Sequence, residues 1–227
     1  MTQVPEWYDA KFFSKIYYSG LPGHFLRKMH TFLERERSGH YSLTLEVGAT
    51  HGQHLPFIRH TYDNYILSDL VISDELQKSS GSNSRTTLLK ADVRDLEGIA
   101  SGTCDRILMT CLLHHVQDTS SVIEELLRCV KPNSGIIDIL LPREPSILWN
   151  LGRVLLVFPK ARLGGKSWTD YWKYVRLEHV TTHKEIMEVI YARVPLFNYE
   201  IHEVHLRVGS RHLGPRVFDR ITLVQHS

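Results

Sequence analysis

Cysteine is scarce in this chain of 227 residues, which has only Cys104, Cys111 and Cys129. An odd number in a long chain excludes a disulfide scaffold, and the expectation is reduced, buried thiols in a cytoplasmic protein. A charge excess of one sign is also missing. Lys and Arg number 27 against 25 Asp and Glu, leaving +2 with His neutral. That balance excludes the basic footprint of a duplex-binding protein, so no nucleic-acid partner is expected. No run approaches the roughly 18 apolar residues of a spanning helix, so no transmembrane segment is expected. The nearest, residues 147–158, is interrupted by Asn150, Gly152 and Arg153. The N-terminus lacks the basic region and apolar stretch of a signal peptide. Repeats and low-complexity tracts are absent, and only residues 78–87, KSSGSNSRTT, read as an exposed loop. What remains is the mix of a soluble globular domain, 42% apolar and 23% charged. At about 150 residues per domain, one domain spanning 1–227 is favoured.

The order of elements follows from periodicity. Residues 5–18 are aromatic-rich, and 24–37 carry Phe25, Leu26, Met29, Phe32 and Leu33 at helical spacing. Short apolar runs then follow at 43–47, 65–67, 87–89, 107–109 and 134–141, separated by helix-like segments at 52–60, 73–78 and 120–130. Strands alternating with helices mean βαβ units and a parallel sheet. Residues 142–177 are aromatic and basic. A helix over 181–192 is predicted, capped by Thr181 or Thr182 with Glu185 in a capping box. Strands at 199–208 and 216–225, separated by Gly209, Gly214 and Pro215, predict an antiparallel hairpin.

The turn after the first strand is the most informative segment. Leu45-Glu46-Val47-Gly48-Ala49-Thr50-His51-Gly52-Gln53 follows a strand and is expected to open a helix. Open parallel sheets bind ligands at the carboxyl ends of their strands, beside the switch point. Glycines there let the backbone approach a ligand, and amides at a helix start favour anionic groups. The second strand ends on Asp69, placed to accept from a ribose diol, and the third on Asp92, placed to accept from a purine amine. The segments Leu112-Leu113-His114-His115-Val116 and Val130-Lys131-Pro132-Asn133-Ser134-Gly135 complete an ordered set over residues 41–141.

This set resembles the class I S-adenosylmethionine-dependent methyltransferases, and more narrowly their small-molecule type. The resemblance implies a Rossmann-like α/β fold with a seven-stranded, mostly parallel sheet, an antiparallel last strand and a helical cap. It implies S-adenosyl-L-methionine as cofactor, with S-adenosyl-L-homocysteine as product. Glu46, Gly48, Ala49, Thr50 and Gly52 would form the methionine-side loop. Asp69 and Leu70 would hold the ribose, Asp92 and Val93 the adenine, and Thr110 and Cys111 would line the cofactor beyond the fourth strand. Asp105 would be structural. Thr50 departs from the pattern, standing where the middle glycine of the loop is usual.

Rival readings make different demands. A dinucleotide oxidoreductase needs G-x-G-x-x-G, whereas Gly48 opens G-A-T-H-G-Q. A non-catalytic partner module that keeps the fold without turnover, with or without binding S-adenosylmethionine, is a further alternative; the intact carboxylates Glu46, Asp69 and Asp92 argue against it, because a dead fold need not keep ligand carboxylates. His51 with His54, and His179 with His183, have helical spacing, but H-E-x-x-H and C-x-x-C are absent, and no metal is expected.

The acceptor is read from what surrounds strands four and five. Catalytic candidates are His114, His115 and His179, as bases for a hydroxyl acceptor. Residues 143–176 contain only Glu144 and Asp170 as acids among many cations and aromatics. Tyr17, Tyr18, Arg143, Trp149, Trp168 and Trp172 are the substrate-binding candidates, suited to an aromatic or sugar-like acceptor with an anionic group. The same aromatics would also serve as the core of a helical cap. A lipid or lipid-linked acceptor is the alternative, since residues 147–162 could lie in a membrane interface. The domain then divides into an N-terminal cap (1–40), a cofactor-binding core (41–141), a cap insert (142–180) and a C-terminal helix and hairpin (181–227). A monomer or homodimer methylating a small molecule at oxygen or nitrogen is the expectation.

Overall fold

The computed structural model describes residues 18–81, 83–165, 167–209 and 214–225, with the side chain of Tyr174 outside the description. The expectations for residues 1–17, including the 5–18 helix and the substrate role of Tyr17, lie outside the described residues.

Seven strands form one sheet: β1 His40–Val47, β2 Thr61–Asp69, β3 Thr86–Lys90, β4 Arg106–Thr110, β5 Ile136–Pro142, β6 Tyr199–Arg207 and β7 Arg216–Gln225. Their order is β3-β2-β1-β4-β5-β7-β6. The first five strands pair in parallel, and β7 runs antiparallel between β5 and β6. The expected mixed sheet and terminal hairpin are therefore what forms. The order reverses between β1 and β4, so the carboxyl ends of these strands flank the switch point where open sheets bind ligands.

Among the described residues seven α-helices connect and cover the strands: α1 Gly20–Leu33, α2 Asp74–Ser80, α3 Thr119–Cys129, α4 Ile147–Gly152, α5 Phe158–Leu163, α6 Trp168–Glu178 and α7 His183–Arg193. Local chemistry sets several starts. Ser73, Asp118, Ser146, Ser167 and Thr182 each accept a hydrogen bond from a backbone N–H in the first turn, and Thr182 with Glu185 completes the predicted capping box. Each such cap is worth about 1 kcal/mol.

Alternation along the strands assigns the faces. Leu45, Val47, Ile107 and Met109 point to one side, against Val122, Ile123 and Leu126 of α3 and Ile186 and Ile190 of α7. On the other side Tyr65, Leu67, Leu108, Leu140 and Phe218 meet Met29, Phe32 and Leu33 of α1 and Leu76 of α2. This period-two pattern is what a sheet covered on both faces requires.

Below α1 the second face turns polar. Arg106, fully buried on β4, donates to Glu34 (3.0 Å) and to Asp138 of β5 (3.1 Å). Asp138 also accepts from Arg37 through Nε (2.8 Å) and Nη2 (2.6 Å), and from the Thr222 hydroxyl (2.8 Å). Glu34 further accepts from His54 at 3.0 Å. Two guanidinium groups thus face two carboxylates, and the residues just after α1 are tied to β4, β5 and β7.

One expectation needs correction. The helix predicted over 52–60 is a single 3-10 turn, Leu55–Phe57, with Pro56 in its first turn. Only 13 residues separate Val47 from Thr61, and Ile58 is already extended at ψ 130°. That span is too short for a turn, a helix and a return, so the chain between β1 and β2 forms no α-helix of its own.

Candidate functional site

The loop after β1 is built from left-handed residues. Gly48, Thr50 and Gly52 have φ of 72°, 51° and 75°. Thr50 therefore takes the glycine-like conformation at the position where its side chain is unusual. A Cβ on Gly48 would stand 2.8 Å from Leu112 Cδ2, and one on Gly52 2.8 Å from Ser79 Cβ, so both positions exclude larger residues. The loop is held by the neighbouring strand and helix. Gly48 and Ala49 donate to the carbonyl of Ser68 at 2.9 and 3.0 Å, and Ser79 donates to the carbonyl of His51 at 3.0 Å. Because these amides are paired internally, the loop offers shape and carbonyl edges rather than the helix-start amides expected from the sequence.

Carboxylates stand at the ends of the next two strands. Asp69 Oδ2 accepts from the Thr50 amide at 2.8 Å and Oδ1 from the Val71 amide at 3.1 Å. These bonds fix its plane and leave further lone pairs for a ligand. Leu70 and Val71 beside it are exposed apolar residues, 42% and 66% accessible. Asp92 follows β3. Arg94 engages it with Nε at 2.9 Å, Nη2 at 2.5 Å and its own amide at 3.0 Å. The Arg94 side chain and then its amide hold the Asp92 carboxyl down at about 2. Val93 lies half-buried next to it.

The other predicted cofactor residues sit deeper. Glu46 is buried on the α1 side of the sheet and accepts from Tyr65 at 2.7 Å, with burial raising its pKa. Ala49 is buried. Thr110 is half-buried at the end of β4. Cys111 adopts φ 52°, and its thiol lies 3.5 Å from Met29 Sδ, where burial pushes its pKa up.

The three predicted catalytic histidines come together. His114 and His115 lie in a 3-10 turn, Leu113–His115, just beyond β4, and His179 is the C-cap of α6. Their ring centroids are 4.0 Å (114–115), 4.7 Å (114–179) and 5.2 Å (115–179) apart. His115 Nδ1 donates to the Glu178 carbonyl at 2.8 Å. His179 Nδ1 is 2.7 Å from Glu144 Oε2, and Arg153 pairs with that same oxygen. His114 Nδ1 is buried and has no partner. Burial, followed by the charges of His115 and His179, lowers the His114 pKa well below its usual value. The protein packed around the His115 ring, and then His179, lower His115 to about 4 even though part of that ring meets solvent. Glu144 is held below the usual carboxylate range: burial alone would raise it, and His179 and Arg153 overcome that.

The predicted acceptor contacts are scattered. Tyr18 donates to or accepts from His30 Nε2 at 2.8 Å, and burial raises its phenol pKa. Arg143 pairs with Asp219 of β7 at 3.2 Å. Trp149 packs edge-on against Phe218 and donates to the Val217 carbonyl at 3.1 Å. Trp172 packs with Phe158, Tyr171, Val157, Ala161 and Val175 as the cap's own small core, while Trp168 is 48% exposed and lies edge-on to Phe158 and Trp172. Sequence reasoning missed Glu144 and Arg153 as site residues. Arg153 opens a π-helical turn, Arg153–Val157, between α4 and α5, a type of turn that often marks functional positions. No local pattern signals that pair, because the partners lie nine residues apart across a turn.

Comparison with known proteins agrees with this architecture. Residues 45–137 match the family model described as a methyltransferase domain. Among solved structures, the plantazolicin methyltransferase BpumL in complex with SAH is similar at TM-score 0.63 and 15% identity, over 97% of this chain and 92% of that one. The N-methyltransferase NodS from Bradyrhizobium japonicum WM9 is similar at TM-score 0.60 and 14% identity, over 89% of this chain and 98% of that one. The YcgJ protein from Bacillus subtilis follows at TM-score 0.56 and 11% identity, over 89% and 99%. No curated protein matches the sequence.

Proposed function

We infer, from a chain that carries a methyltransferase domain over residues 45–137 and orders its sheet β3-β2-β1-β4-β5-β7-β6, that the protein transfers a methyl group from S-adenosylmethionine to oxygen or nitrogen of a small acceptor. The observation that carries this reading is the loop at 48–52, which keeps three left-handed residues beside the amide-anchored carboxylate of Asp69. The chemistry of this edge suits a nucleoside: Asp69 accepts from the ribose diol, exposed Leu70 and Val71 cover an apolar base, and Asp92 with the Val93 amide reads its edge. The whole chain acts as one catalytic domain, with residues 142–180 as its cap. Its free cysteines support a reducing, cytoplasmic setting.

The cofactor supplies an electrophilic methyl carbon on a sulfonium centre. The chain's task is to align an acceptor with it, exclude water and receive a proton. His114, His115 and His179 stand on the acceptor side, beyond β4 and β5. With Nδ1 of His115 committed to a carbonyl, its Nε2 holds the lone pair that receives the acceptor's proton. The lowered pKa values keep His114 and His115 neutral, the form a base requires.

A lipid or lipid-linked acceptor is the second reading, and one observation favours it. Ile147, Leu151 and Leu155 recur every four residues along α4 and the π turn and are 89%, 49% and 61% exposed, with Leu163 at 90%. Lys160 and Arg162 border them. Among the described residues no helix is long and apolar enough to cross a membrane, so this stripe would lie in an interface.

The test is calorimetric titration of the full chain with S-adenosylhomocysteine, with NADH as control. Micromolar binding of the former alone supports the reading. If neither binds, the cofactor assignment falls and a partner module with this fold takes its place. Vesicles of anionic phospholipid added to the same assay separate the two acceptor classes.

A further inference from the structure

We propose that His114, His115 and His179 form a binding site for a divalent transition-metal cation of the zinc class, with Glu144 positioning one of the ligands. One nitrogen from each of the three rings lies within 4.8 Å of the other two. A tetrahedral zinc site with Zn–N of about 2.0–2.1 Å needs its nitrogens about 3.4 Å apart, so the rings draw in by no more than about 1.4 Å on binding. Rotation of the His115 and His179 side chains, both on loop or cap positions with solvent beside them, supplies that movement.

The surroundings of the rings separate this cluster from an accidental one. Metal-bound histidines nearly always donate their second ring N–H to a carboxylate or carbonyl, which fixes the tautomer and raises ligand basicity. Two of the three rings have that arrangement already. The Glu178 carbonyl can only accept, so His115 Nδ1 carries the hydrogen and Nε2 the lone pair. His179 Nδ1 meets the Glu144 carboxylate at 2.7 Å, which likewise leaves Nε2 as the donor atom. Arg153 Nη2 also lies 3.0 Å from His179 Nδ1 and can only donate, so it competes with Glu144 for that nitrogen, and a cation at Nε2 selects the tautomer in which Nδ1 donates to Glu144. The third ring, His114, is 6% exposed and keeps Nδ1 without a hydrogen-bond partner. An orphaned imidazole nitrogen in a buried site is costly unless something coordinates it.

Imidazole donors suit zinc, nickel, copper and iron, and three protein ligands leave a fourth position open. With the cation bound, the Nε2 lone pair of His115 is coordinated, so His115 would then be a ligand and would not serve as the proton acceptor. The binding site itself does not depend on the methyl-transfer reading.

A second group, Glu203, His205 and Asp219, also has metal-ligand spacing. There His183 and His205 already spend nitrogens on Asp219, at 2.9 and 2.7 Å. It serves as the internal control.

The experiment is titration of the metal-free full chain with Zn2+ at pH 7.5, by calorimetry and in the absence of S-adenosylhomocysteine. X-ray absorption of the 1:1 sample reads the ligand atoms. Expected are one equivalent bound, nitrogen scatterers at about 2.0–2.1 Å, at least tenfold weaker binding in His115→Ala and in His179→Ala, and unchanged binding in His205→Ala. Glu144→Gln should weaken binding by about 10–100-fold, and circular dichroism identifies any variant that fails to fold. Absence of binding to the wild type overturns the proposal. So does binding that survives in His115→Ala and His179→Ala but is lost in His205→Ala. Either result leaves the cofactor titration free to succeed or fail on its own.

Discussion

Replacing Asp138 with alanine tests how α1 is held on the sheet. The carboxylate is fully buried and accepts four hydrogen bonds, two from Arg37, one from Arg106 and one from Thr222. Its loss leaves two guanidinium groups unequal in their options. The Arg37 side chain is 14% exposed and can turn to water, whereas that of Arg106 is 0% exposed and cannot. Arg106 keeps its pairing with Glu34 (2.8 Å), so its charge stays matched, but its buried Nε loses its acceptor, and an unpaired buried donor on a charged group costs about 3 kcal/mol. For a chain of this size each kcal/mol lowers Tm by about 2–4 °C. Asp138→Ala should therefore lower Tm by about 6–12 °C at a cost near 3 kcal/mol. Thermal melts followed by circular dichroism read this directly. Arg106→Met combined with Asp138→Ala should cost at least about 1 kcal/mol less than the sum of the single variants, because the two share the Nε–carboxylate bond and the double variant leaves no Nε without an acceptor. A drop below about 2 °C for Asp138→Ala, or strict additivity, would refute the account of Arg106 as a charge held in place by its carboxylates. The pH dependence has a definite sign. Burial pushes the Asp138 carboxyl up, but Arg37, Arg106 and Thr222 together hold it below its usual value. A depressed pKa contributes stability that is complete above about pH 4 and is lost as pH falls further.

Four further outcomes are expected. Asp69→Ala should abolish S-adenosylhomocysteine binding in calorimetry while leaving the melt within a few degrees of wild type; near-normal affinity would remove the ribose role. Thr50→Gly relieves a β-branched residue at φ 51° and should raise stability by about 1 kcal/mol; a lower Tm would mean that the hydroxyl bond to the Gly48 carbonyl outweighs the strain. Arg94→Ala frees the oxygens of Asp92, and because an exposed, solvent-screened pair is weak, cofactor affinity should rise no more than about fivefold; weaker binding would make Arg94 itself a cofactor contact. Burial lowers His30 to about 3, and His115 is lowered to about 4, so both rings withhold protons that the unfolded chain takes up. Stability should then decline as pH falls from about 6.5 toward 4, and a flat urea midpoint across that window would contradict it.

Much of the architecture is written in local pattern. Alternation of apolar runs with helical segments is enough to give a parallel sheet, because each strand's hydrophobic period fixes which residues face which layer. Thr182 and Glu185 mark the start of α7, since a cap is a contact between near neighbours. Gly48, Thr50, Gly52, Asp69 and Asp92 can be placed on the carboxyl edge from their positions after β1, β2 and β3. The missing helix after β1 was not legible from composition: the 13-residue span and Pro56 decide against it only once β2 is known to start at Thr61.

The rest belongs to tertiary structure. Nothing near Arg106 in the chain announces Glu34 or Asp138, which reach it from 72 and 32 residues away. Trp172 has the composition of an acceptor wall, yet it packs with Phe158 and Tyr171 into the cap's own core, because an aromatic surface is buried by whichever neighbour the helices bring. His114 and His115 could be singled out from sequence, as could His179, but only folding joins them and sets Glu144 behind one ring. Periodicity and caps act between residues a few positions apart, so the sequence determines them. Ion pairs and ligand clusters depend on distances between elements, and those exist only after the sheet has closed.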